Sequence, residues 1–215
     1  MEGLSRTNIV VVGSNFPVQT VALEDFTGVL GEMSEVVRLP VLVQGAAGSY
    51  RIAFTEERFS VEVVPPFPAD DVSRLVEATR MFLMEYVGRR AASGVGHNFS
   101  GVLGTGEVAG RDVLPKLLNT VLLQEVLQST EPLAPSLSVN FRRGQESRAK
   151  LSLGAPLEEE ARHIAYDFNF HFDLKGSDKV DVMEAVDQLP DSVVYAEGIV
   201  ETLSSRVTRV GEEDG

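Results

Sequence analysis

The chain contains no cysteine. Disulfides, thiolate nucleophiles and cysteine metal clusters are therefore excluded, and the composition suits a reducing, cytoplasmic setting. Tryptophan is also missing and aromatic residues make up only 7%, which disfavours a stacking site for a planar ligand. Histidine is scarce as well: only His97, His163 and His171 occur. Basic residues are outnumbered, with 19 Lys and Arg against 32 Asp and Glu, for a net charge of −13. Proteins that track nucleic-acid phosphates, or that dock on anionic membranes, concentrate Lys and Arg instead. No apolar stretch approaches the ~20 residues needed to cross a bilayer. The opening "MEGLSRTNIVVVGSNF" has too short an apolar run, and too early a glutamate, to read as a signal peptide. The expectation is a soluble, acidic, cytoplasmic protein without a cofactor or metal.

What is present is a core. Hydrophobic residues make up 43% of the 215, enough to exclude wholesale disorder. Residues 8–13, "NIVVVG", read as a buried strand closed by glycine. Residues 35–43 are β-branched but carry Pro40, which places them at a sheet edge or splits them. A hairpin follows, with Tyr50, Ile52 and Phe54 alternating outward and Phe59, Val61 and Val63 alternating back. "PPFP" (65–68) then stops the sheet. A helix from Asp70 or Asp71 to about Val87 carries an apolar stripe of Val72, Leu75, Val76, Phe82, Leu83, Tyr86 and Val87. It is expected to pack on the hairpin.

The second half repeats this order of strands before helices. A strand is expected around 95–103 and a largely apolar helix over 112–127. A three-strand meander follows, built from "SLSVNFRR", "RAKLSLGA" and "RHIAYDFNFHFDL". Each strand has one apolar and one polar face, as antiparallel sheets with a solvated side do. Helices at about 178–189 and 191–209 close the chain, before an acidic tail at 211–215. The fold class is therefore α+β, with an N-terminal hairpin and a C-terminal meander packed by helices on one face. Residues 1–215 read as one unit, with 1–90 and 91–210 as candidate sub-lobes.

The third meander strand poses the functional question. Ile164, Tyr166, Phe168, Phe170 and Phe172 share one face; His163, Asp167, Asn169, His171 and Asp173 share the other. Same-face neighbours on a strand lie about 7 Å apart, so His171 and Asp173 could share a water or a metal, whereas Asp167 and Asp173 are too distant to work as paired carboxylates. A catalytic centre would have to recruit His97 to His171 and Asp173. The simpler reading is a polar sheet face, continued across the meander by Ser138, Asn140 and Arg142, that meets solvent or a partner.

One further motif fails on its surroundings, and another is missing. "GTGEVA" (104–109) matches the dinucleotide-binding pattern, but Gly110 and Pro115 fall where the helix should begin, and no acidic strand end follows at the required distance. No G-x-S-x-G elbow exposes a serine nucleophile.

The segments "AYDFNFHFDL" and "VMEAVDQLPDSVVYAEGIVETLSSRV" resemble the ending of a sporadically distributed set of uncharacterised bacterial proteins, and "YVGRRAASGVGHNF" resembles their middle. The opening that those proteins share is not seen here, and the resemblance implies no activity. The sequence is therefore read as a non-catalytic binding or assembly protein that contacts another protein or itself through a sheet face or edge. Ser138, Asn140, Arg142, Asp167, Asn169 and His171 are its candidate contact residues. The alternatives are a hydrolase or metal-dependent enzyme using His97, His171 and Asp173, and a small-molecule-binding module.

Overall fold

Leu4–Gly13 form β1, a strand that carries the buried run Ile9–Val11 and begins before the apolar segment does. Its polar start is strand because the strand Ala92–Gly104 pairs with it from Leu4 onward, while the strand Arg58–Val63 joins its other edge from Thr7. This is a computed structural model, which describes residues 4–67, 70–87, 92–117, 136–143, 147–158, 160–174 and 179–212.

After β1 come two short helical turns, Val18–Thr20 and Leu23–Phe26, the second running into α1 (Thr27–Leu30). Next are β2 (Ser34–Leu39), β3 (Leu42–Ala47), β4 (Tyr50–Phe54) and β5 (Arg58–Val63). The chain continues through α2 (Asp71–Phe82), which widens into a π turn over Leu83–Val87. Then come β6 (Ala92–Gly104), α3 (Gly110–Leu117), β7 (Ser136–Arg143), β8 (Ser147–Gly154) and β9 (His163–Asp173). The last helices are α4 (Lys179–Asp187) and α5 (Leu189–Glu212).

Among the described residues, all nine strands join one antiparallel sheet in the order β2-β3-β4-β5-β1-β6-β9-β8-β7. The expected hairpin and meander are thus the two wings of a single α+β layer, spliced by β1 against β6. Both halves are wired alike. Each begins with a central strand, moves to the sheet's rim, and returns inward until its last strand pairs with its first. A helix then crosses back over the same face.

The alternations in β4, β5 and β9 hold to the residue. Tyr50, Ile52, Phe54, Phe59, Val61 and Val63 are buried, as are Ile164, Tyr166, Phe168, Phe170 and Phe172. Under α2, Phe82 stacks on Phe59 at 4.1 Å between ring centres and an interplanar angle of 10°. Each such ring removes about 1.5–3 kcal/mol worth of apolar surface from water. Under α5, Tyr195 meets Phe170 edge-on at 5.9 Å.

Pro40 plays both of its expected parts: β2 is the rim strand, and Pro40 lies in the turn that separates it from β3. That rim is apolar and wet, with Val36, Val37, Leu39 and Val41 all exposed. The helix α2 starts at Asp71 as expected, whereas α5 starts earlier than expected. Asp70 does not cap α2 through its side chain; its carboxylate accepts from Arg74 Nε at 2.7 Å instead. Pro190 lies in the first turn of α5 rather than before it, where its missing N–H costs nothing. The expected helix over 112–127 is seen as α3 to Leu117. Its remainder, residues 88–91 and residues 213–215 lie outside the described residues.

The glycine motif proves structural. Gly106 turns the chain at φ +67°, and α3 begins only at Gly110. A Cβ at Gly110 would sit 2.1 Å from the His163 carbonyl oxygen, so glycine is required where α3 presses on β9. Gly110 N–H donates to the Ala161 carbonyl at 2.8 Å, and Thr105 N–H to the Arg162 carbonyl at 3.0 Å.

Candidate binding face

The described helices cover one face of the sheet, and among the described residues the other is open. Register places its side chains in rows that cross the strands. The central row runs Arg51, Glu62, Asn8, Asn98, Asn169, Lys150, Asn140, from β4 to β7. Three of its four asparagines form a chain over β1, β6 and β9: Asn98 Nδ2 donates to Asn8 Oδ1 at 2.6 Å, and Asn169 Nδ2 donates to Asn98 Oδ1. Such a row satisfies polar groups half-sheltered by their neighbours, and each bond contributes about 1 kcal/mol.

A second row runs Ser60, Val10, Gly96, His171, Arg148, Arg142. A third runs Arg6, Ser100, Asp167, Ser152, Ser138. In that row the Ser138 and Ser152 hydroxyls lie 3.3 Å apart. All six expected contact residues therefore share the open face, distributed over these three rows.

Among the described residues, a hollow lies on the open face in each half. The larger, about 690 Å³, is lined by Asn140, Arg142, Arg148, Lys150, Asn169 and His171, with Phe141 and Ala149. The smaller, about 360 Å³, includes Glu35, Gln44, Arg51, Ser60 and Glu62 in its lining. Glycine shapes the centre: a Cβ at Gly94 would lie 3.0 Å from His171 Cε1, so the absence of a side chain there gives the imidazole room over β6.

His97 faces the opposite way. It alternates with Val95 and Phe99 on the helix side and is fully buried. The sheet thus separates it from His171, and the expected grouping of His97 with His171 and Asp173 does not assemble. Asp173 pairs with Gly94 through its backbone, and its side chain lies outside the described residues. Among the described residues, no cluster of three or more His, Asp or Glu side chains could hold a metal ion. Nor is any described helix long and apolar enough to cross a membrane.

The surroundings of His97 contain two partners that the sequence reading missed. Its Nδ1 lies 3.0 Å from Ser192 Oγ, and Arg143 Nη1 donates to the same oxygen at 3.1 Å. Arg143 also donates to the Asp191 carbonyl and lies over the Tyr195 ring at 4.8 Å. Burial first, and the Arg143 charge second, hold the His97 pKa down at about 3; the nearby Ala185 backbone opposes them. A serine beside a histidine resembles a nucleophile with its base, but both residues are wholly buried. Arg143 donates to the serine oxygen itself, and among the described residues no carboxylate bonds the far nitrogen, Nε2, to orient the imidazole. This trio pins α5 to β6 and β7. Its signal was in the pattern, since Val95, His97 and Phe99 alternate, as do Leu137, Val139, Phe141 and Arg143.

No family model matches the chain, and no curated protein matches it significantly. The site is read from its own geometry.

Proposed function

We propose that this is a non-catalytic binding protein that engages another protein, or a second copy of itself, through the open face of its sheet. One observation carries the reading: among the described residues, nine strands present a continuous, hollowed and largely polar face while the helices pack on the other side. A face rich in asparagine, serine and half-sheltered small residues suits a hydrated interface, in which polar groups pair directly or through water.

Sedimentation velocity and native mass spectrometry of the purified chain test it. The expected result is a mass above the 23.3 kDa monomer, from self-association or a retained protein. Gly96→Gln should abolish that assembly without unfolding the chain. Position 96 lies mid-face, and an added Cβ there meets nothing closer than 3.7 Å. A monomer that instead carries a defined small molecule would overturn the reading.

A further inference from the structure

The two hollows differ in charge, and the difference identifies an occupant. In the larger one, two adjacent rows form a grid: Arg142, Arg148 and His171 in one, Asn140, Lys150 and Asn169 in the other. Every member can donate hydrogen bonds, and three are cationic. Among the described residues, neither Arg142 nor Lys150 meets a carboxylate within ion-pair distance.

Arg142 also stands directly opposite Arg148, a like-charge cross-strand pair that disfavours the sheet. Departures of this kind from fold-favouring chemistry concentrate at functional surfaces. The net charge of −13 does not cancel the grid at a distance. Physiological salt screens charges beyond about 8 Å, so the local cations set the local field.

Resting on the open-face reading, we infer that this hollow receives an extended acidic segment of a partner protein. The rows lie about 7 Å apart, the separation of side chains at i and i+2 in an extended chain, so alternate carboxylates match successive rows. Three cations flanked by Asp167 make too short and too interrupted a track for a nucleic-acid backbone. Against an otherwise acidic surface, the grid both attracts such a segment and fixes where it lands.

Fluorescence anisotropy on the full chain provides the test, using a rhodamine-labelled peptide of alternating Glu and Thr and its Gln and Thr counterpart. The acidic peptide should bind, weaken as salt rises, and lose affinity about tenfold or more with Arg142→Glu combined with Lys150→Glu. The Arg142→Gln, Lys150→Gln pair should fall between, and Arg51→Gln in the other hollow should change nothing. Circular dichroism checks that each variant is folded. Equal binding of the neutral peptide, full binding by the charge-reversed variant, or competition by inorganic phosphate at comparable affinity would overturn the inference. So would absence of binding by the acidic peptide. In each case an assembly abolished by Gly96→Gln leaves the open-face reading standing.

Discussion

The N-terminal and C-terminal halves have the same wiring and opposite chemistry on the open face. Both wind from a central strand to a rim and back, and both bury phenylalanines beneath a crossing helix. Yet the N-terminal hollow sets Glu35 and Glu62 against Arg51, while the C-terminal hollow gathers Arg142, Arg148, Lys150 and His171. The contrast shows which constraints the fold imposes. Apolar alternation on the covered face is not negotiable, because a register slip would turn every core side chain into water. The open face needs only to be wettable, so its charge is available for recognition.

The comparison can be broken most decisively in the core. Phe82→Ala and Phe170→Ala, one per half, should each cost about 3–5 kcal/mol in urea unfolding followed by circular dichroism. Because β1 and β6 join the halves along their length, both should shift one common transition. Two separable transitions would show that the halves fold independently.

Acid sharpens the contrast next. His97 sits in the C-terminal core, while its register partner in β1 is the apolar Ile9. The folded pKa of about 3 lies below the ordinary 6.5, so the unfolded chain binds the proton first. Stability from this group is complete above pH 6.5 and falls as pH drops from 6.5 towards 3, by about 1.4 kcal/mol per pH unit. His97→Gln should flatten that part of the stability profile, and the difference between wild type and variant isolates it from the carboxylates. Identical profiles would mean that the imidazole is not held neutral.

The smallest effect concerns the clasp between the halves. Arg80 of α2 donates to both carboxylate oxygens of Asp187 in α4, at 2.8 and 2.5 Å. Both side chains are more than a third exposed, so Arg80→Ala should cost no more than about 1 kcal/mol, less as salt rises. Chemical denaturation at two ionic strengths measures it.

Local pattern carried most of this architecture. The period-two runs in β4, β5 and β9 and the stripe of α2 could be read directly, because each element declares its own buried face. Pairing could not. Nothing near Asn8 indicates that β1 lies beside β6, so the row from Asn8 through Asn98 to Asn169 emerges only from long-range register. The shared face of the candidate contact residues on β7 and β9 was legible because the meander strands are close in sequence and alternate cleanly. Lys150 and Arg148 complete their grid from the strand between. Ser192 escaped because a helical serine announces nothing until a buried partner faces it.

The pairing of β1 with β6 has a further consequence. Two separate, identical polypeptides meeting along such a seam would be forced by symmetry to present the same charges on either side of it. A single covalent chain is released from that obligation, and each wing can be altered without its mirror image changing too. Continuity of the backbone across the midline is what allows one side to gather cations while the other carries carboxylates.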